Sequence, residues 1–183
     1  MSTATQNTLT TKLTRQFDAL DADMDGLLTW SDFEKYGRRY LDAYQIAKED
    51  RRARAIVAVC QMQWVELLRH AGVESGELTK DQYVNATRLS AADPSRINLV
   101  DSTGHVIFDL IDTDGDGEIS KSEFDRLFRE VWKSESPEVM EVFQQVDTDG
   151  DGSISRQEFI RTIREHYLSD DPDAPGSFLY GKV

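Results

Sequence analysis

The chain has a single cysteine, Cys60, in 183 residues, so no intrachain disulfide framework can staple it. Its three histidines, His70, His105 and His166, show neither zinc spacing nor a paired nucleophile. Ordinary core or surface positions are expected for them. No stretch approaches the roughly 20 apolar residues that a bilayer-spanning helix needs. The first eight residues, Met-Ser-Thr-Ala-Thr-Gln-Asn-Thr, lack a charged start followed by an apolar run, so no signal peptide is expected and a soluble, cytoplasmic protein is. Basic residues are also scarce: Lys+Arg number 21 against Asp+Glu 34, a net charge of −13. That balance argues against nucleic acid or anionic membranes as partners. No nucleophile–base pair or phosphate loop is visible, so no catalytic residue, organic-cofactor site or enzymatic activity is expected. Hydrophobic residues at 39% and aromatics at 9% are nevertheless too many for a disordered acidic tail.

The acidic residues are not spread evenly. In Asp112-Thr-Asp-Gly-Asp-Gly-Glu-Ile-Ser-Lys-Ser-Glu123, oxygen-bearing side chains stand at positions 1, 3, 5, 9 and 12, as Asp112, Asp114, Asp116, Ser120 and Glu123. This spacing matches the EF-hand calcium loop, in which position 7, here Glu118, adds its backbone carbonyl. Gly117 falls at position 6, where the chain must turn sharply. Ile119 at position 8 suits a short strand pairing with a second loop of the same kind. Carboxylates packed this closely repel one another unless a cation sits between them, and hard oxygen ligands suit a hard cation.

Sliding that loop along the chain reveals a repeat. Asp147 to Glu158 copies it 35 residues later, with Asp147, Asp149, Asp151, Ser155 and Glu158 as ligands and Ser153 as the carbonyl donor. Asp21 to Asp32 is a third copy, carrying Asp21, Asp23, Asp25, Leu27 as carbonyl donor, Thr29 and Asp32. One such loop on its own could be a solvated acidic turn; three between helical patterns leave that reading little room. A fourth stretch, Ala71 to Gln82, keeps Gly76 and Leu78 but has Ala71, Val73 and Gln82 where anionic ligands belong. This degenerate loop is expected to supply Leu78 as a partner for Leu28 and to hold no calcium.

Helix signals flank every loop. Leu13, Phe17 and Leu20 precede the first, with a start capped near Thr11; Phe33, Tyr36, Tyr40 and Tyr44 follow it as a core stripe. A linking helix over about Glu49 to His70 carries Ile56, Val57, Cys60, Trp64, Leu67 and Leu68, and Cys60 reads as a buried core thiol. The helix entering the third loop is expected from about His105, and the fourth unit from Ser136-Pro137. Ser90 to Arg96 reads as a short break between halves. The predicted fold is all-α: four helix–loop–helix units in two packed halves, residues 1–92 and 97–168, with short antiparallel pairing between loops. Residues 169–183 hold two prolines and two glycines and so form an extension; Phe178, Leu179 and Tyr180 favour its docking over a frayed end.

In this arrangement the chain resembles the sarcoplasmic calcium-binding proteins of invertebrates and, more closely, the bacterial calerythrin-like proteins. The likeness rests on four units with a degenerate second, a long insertion between the first two loops, Asp32 closing the first, and an extension ending in aromatics. It implies a compact calcium and magnesium buffer with sites at 21–32, 112–123 and 147–158.

Three Ca²⁺ ions are thus expected. Asp32 is one methylene shorter than glutamate, so either the exiting helix moves inward or the carboxylate binds through one oxygen; the latter gives about six ligands, closer to the octahedron Mg²⁺ demands. Magnesium should compete best at 21–32. A monomeric buffer is the expected function and a calcium sensor with an unknown protein target the alternative. Sensors open a methionine-rich groove, whereas this chain has four methionines, one terminal and one within a loop.

Overall fold

A computed structural model describes residues 3–93, 97–133 and 139–181. Among them are eight α-helices and four short strands. The first unit is α1 (Thr3–Leu20), β1 (Leu27–Thr29) and α2 (Trp30–Ala43); the second is α3 (Arg51–Ala71), β2 (Glu77–Thr79) and α4 (Lys80–Ala92). The third is α5 (Ile97–Ile111), β3 (Glu118–Ile119) and α6 (Lys121–Arg126), which continues as a π-helical turn over Leu127–Val131. The fourth is α7 (Val139–Val146), β4 (Ile154–Ser155) and α8 (Arg156–Leu168).

Loops pair as the position-8 residues dictate. β1 and β2 run antiparallel with Leu28 opposite Leu78, and β3 and β4 with Ile119 opposite Ile154. All four side chains are fully buried, so each pair of loops shares an apolar rivet beneath it. Around these rivets one continuous core joins both halves, with Phe17, Tyr40, Phe108, Phe124, Phe143 and Phe159 removed from solvent. Cys60 belongs to that core as expected, and burial pushes its thiol up to about 12. α2 approaches α3 at Gly37, where a Cβ would stand 3.3 Å from Cys60 Sγ.

Several boundaries differ from the sequence expectation. α1 starts by Thr3, leaving Thr11 in mid-helix, because no glycine or proline interrupts residues 3–20 and Thr8, Leu9 and Lys12 extend its buried face. α5 starts at Ile97, well before His105. Gly104 lies inside it without breaking it, because that glycine lets α8 approach: a Cβ there would lie 3.2 Å from Ile160 Cγ1. α3 begins at Arg51, two residues after Glu49, where the N-cap Asp50 Oδ1 accepts the Arg52 N–H at 2.8 Å, and it ends before Gly72 in the left-handed region. Ser90 to Ala92 form the last turn of α4, which shortens the break between halves. The proposed cap at Ser136-Pro137 lies outside the described residues.

The extension folds back onto the body. Phe178 and Leu179 are buried, and Tyr180 Oη lies 3.2 Å from Tyr36 Oη. The Tyr180 ring packs 5.2 Å from both Trp132 and His166. Gly176 fits so tightly that an added Cβ would stand 2.4 Å from His166 N and from Thr162 O. Lys12 joins the same seam, donating to the Glu165 and Ser169 carbonyls at 2.8 and 2.6 Å, and burial lowers its ammonium to about 8.

Candidate metal centres

Each of the three acidic loops hangs between an entering and an exiting helix, so folding alone draws its carboxylates together. In the first loop Asp21, Asp23 and Asp25 each place an oxygen within 4.8 Å of the others. In the third and fourth loops the corresponding trios are Asp112, Asp114 and Glu123, and Asp147, Asp149 and Glu158. Asp32 stands outside the first trio, as Asp116 and Asp151 stand outside the other two. Two unit charges at 4.8 Å repel by about 1 kcal/mol in water, and by more where protein excludes solvent.

Backbone N–H groups shape the loops from within. Asp112 accepts Gly115 N through Oδ1 at 2.8 Å and Gly117 N through Oδ2 at 3.1 Å. Asp147 does the same with Gly150 and Gly152, at 2.8 and 3.0 Å. Asp116 and Asp151 hold the next N–H along, those of Glu118 and Ser153, each at 2.9 Å. Across the β3–β4 ladder the position-7 residues also touch through their side chains, Ser153 Oγ donating to Glu118 Oε2.

The closing glutamates are clamped by four donors each. Glu123 Oε1 accepts Thr113 N and Oγ1, at 2.7 and 2.6 Å, and Oε2 accepts Ser120 N and Oγ, at 2.9 and 2.8 Å. Glu158 is held identically by Thr148 and Ser155. Burial pushes both carboxyls up, yet the donors together outweigh it, leaving Glu123 below its ordinary range and Glu158 at about 2. Both stay ionised at neutral pH. The expected capping boxes are present too: Ser120 and Ser155 cap α6 and α8.

The first loop is closed differently. Ala22 stands where Thr113 and Thr148 stand, so position 2 has no hydroxyl to give. Asp32 Oδ2 accepts Thr29 N and Oγ1, at 3.0 and 2.8 Å. Its Oδ1 is buried without a hydrogen-bond partner, the Lys35 ammonium lying 3.7 Å away. Asp21 Oδ1 is also buried and unpartnered, because only its Oδ2 takes a backbone donor, Gly26 N at 2.9 Å. Orphaned anionic oxygens are costly. A hard divalent cation fits this donor set, since unpartnered carboxylate oxygens are the ligands such an ion takes.

The degenerate loop keeps the turn and loses the charge. Gly76 has φ +72° and Thr79 forms a capping box with neutral Gln82, yet no acidic trio gathers there among the described residues. What the sequence did not reveal is how the halves reach each other's loops: Tyr44, read only as part of a core stripe, donates its hydroxyl to the Glu123 carbonyl at 2.9 Å. No local pattern marks that contact.

Paired helix–loop–helix units, with carboxylates gathered in three of four loops, define a divalent-cation-binding protein. Three family matches agree: an EF-hand domain pair over residues 105–164, a second EF-hand domain pair over 75–130, and an EF hand over 14–35, together more than half of the chain. The chain belongs to the EF-hand superfamily. The 75–130 match runs from the second loop to the third, whereas the strand ladders join the first with the second and the third with the fourth. No curated protein matches the sequence significantly.

Among solved structures, a calcium-binding protein of Streptomyces coelicolor is similar at a TM-score of 0.73 and 21% identity, covering 87% of this chain and 97% of that one. Calcium-loaded apo-aequorin from Aequorea victoria has a TM-score of 0.74 and 22% identity, covering 91% and 93%. Magnesium-loaded apo-berovin, a ctenophore photoprotein from Beroe abyssicola, reaches 0.69 and 21%, covering 86% and 87%; all three of its Ca²⁺-binding loops bind magnesium ions. At these identities the likeness is one of fold.

Proposed function

We propose that the protein is a cytoplasmic calcium and magnesium buffer, akin to the calerythrin-like and sarcoplasmic calcium-binding proteins. Its sites are Asp21, Asp23, Asp25, Leu27, Thr29 and Asp32; Asp112, Asp114, Asp116, Glu118, Ser120 and Glu123; and Asp147, Asp149, Asp151, Ser153, Ser155 and Glu158. Position 7 acts through its carbonyl. Residues 1–92 and 97–168 act as two paired halves, with 169–183 as their clasp. The observation that carries this reading is the seated extension: Phe178, Leu179 and Tyr180 occupy the seam between halves, where a sensor would receive its target helix.

Magnesium as a competing ion is supported by the berovin loops and by short-armed Asp32.

The sensor reading has one observation of its own. On the outer face of α3, Val57, Met62 and Val65 are 41%, 54% and 60% exposed, where a solvent-facing helix is ordinarily polar. One titration separates the two: calcium added with and without millimolar magnesium, following stoichiometry by calorimetry and exposed apolar surface by a hydrophobic dye. A buffer takes three ions with little dye response, and magnesium weakens its apparent calcium affinity. Strong dye enhancement on adding calcium refutes the buffer.

A further inference from the structure

Asp32 and Tyr44 sit at opposite ends of one rigid element. α2 spans 14 residues, about 21 Å at 1.5 Å per residue, with Asp32 in its first turn and Tyr44 as its C-cap. It rests on α3 at Gly37, against Cys60. Its far end grips the exiting helix of the third loop. Tyr44, buried, donates to Glu123 O at 2.9 Å, a carbonyl that also receives Leu127 N–H. The Arg126 guanidinium lies 5.6 Å from the Tyr44 ring centroid, and Trp132 Nε1 donates to Tyr40 Oη at 3.2 Å. Glu158, the equivalent residue of the fourth loop, has its carbonyl taken by Thr162 of its own helix at 2.9 Å. The two halves therefore meet at the closing residue of the third loop.

We propose that Tyr44 is a positioning residue that couples ion binding at the first loop to ion binding at the third. The inference rests on the reading that both loops take a cation. Asp32 lies outside the Asp21–Asp23–Asp25 trio, and its short side chain cannot extend, so an ion at the first loop draws the start of α2 inward. A packed helix moves as a rod, and the displacement about Gly37 reaches Tyr44 and the Glu123 backbone. Linkage makes the effect reciprocal.

The test is a double-mutant cycle on the full chain with Asp32→Asn, Tyr44→Phe and both, titrated with calcium while glycine amide NMR signals of Gly26, Gly117 and Gly152 report each loop. One neutral hydrogen bond sets the expected scale: Asp32→Asn weakens calcium binding at the third loop by about two- to tenfold when Tyr44 is present. With Tyr44→Phe that effect disappears, although no ligand has been removed. If Tyr44→Phe instead weakens the third loop equally with and without Asp32→Asn, it only loosens the fold and the coupling is wrong. If Gly26 ignores calcium and magnesium alike in the unaltered protein, the first loop is no cation site, and both the assignment and the coupling fall.

Discussion

Lengthening one side chain in the first loop should make the metal-free protein more stable. In Asp32→Glu the added methylene carries the carboxylate toward Ala22 N–H, the counterpart of the Thr113 and Thr148 amides that clamp Glu123 and Glu158 at 2.7 and 2.8 Å. It also gives a partner to the buried Oδ1, now orphaned. A hydrogen bond to a charged group contributes about 1.5–3 kcal/mol. Against this stand the Lys35 contact at 3.7 Å, worth about 0–1 kcal/mol at the surface, and about 1 kcal/mol of new repulsion from the trio. Overpacking is not expected, because the two glutamate-closed loops already accommodate the longer arm in the same frame. The balance is a gain of about 1 kcal/mol, or roughly 2–4 °C in melting temperature for a chain of this size. With calcium, a second carboxylate oxygen joins the cage and the preference over magnesium should rise about tenfold. Thermal melts in chelator and calorimetric titrations with each ion measure both. A lower melting temperature in chelator, with an unchanged ion preference, would refute the account of the first loop.

Three other outcomes follow from the same geometry. Calcium at 100-fold above each dissociation constant should add about 2.7 kcal/mol per loop, so stripping three ions should lower the melting temperature by more than about 15 °C; coincident melts with calcium and with chelator would contradict this. Gly176→Ala places a Cβ against His166 N and Thr162 O, and should cost about 3–5 kcal/mol by unseating Phe178 and Leu179, with dye fluorescence rising without calcium. An unaltered melt and a silent dye would mean that this contact does not hold the extension. His166 is buried neutral, its Nδ1 3.2 Å from Gly176 O; burial first, then the Lys12 charge, lowers its pKa from 6.5 to about 3. Between those values the unfolded chain binds more protons, so stability falls as the solution is acidified from pH 6.5. By pH 4.5, where the closing glutamates have only begun to contribute, about 2 kcal/mol should be lost through His166, and His166→Gln should remove that share of the slope seen by denaturant titration at each pH.

Much of the site could be read locally because a twelve-residue loop is a local object. Its ligands, its position-6 glycine and its position-8 rivet all lie within one turn of chain, and the pairings Leu28–Leu78 and Ile119–Ile154 emerge as the pattern requires. Helix starts were less legible. Gly104 weakens a helix by propensity, and only the nearness of Ile160 gives that glycine a packing role. Thr11 looks like a cap until the buried face of α1 is seen to run past it to Thr8. The difference between loops closed by glutamate and by aspartate was visible as one methylene. Its consequence, an orphaned oxygen on Asp32 and none on Glu123 or Glu158, required Ala22 and Thr29 in place around Asp32.

The sequence by itself determined where cations can gather, since carboxylates spaced every second residue around an obligatory turn converge whatever else the chain does. Tertiary structure alone decided what those loops are attached to. Tyr44 reaches Glu123, 79 positions along the chain, and Lys12 meets Ser169, 157 positions along, because packing of apolar helix faces brings distant segments together. The hydrophobic effect that drives this packing depends on area and carries no sequence address, so such contacts exist only once the whole core has closed.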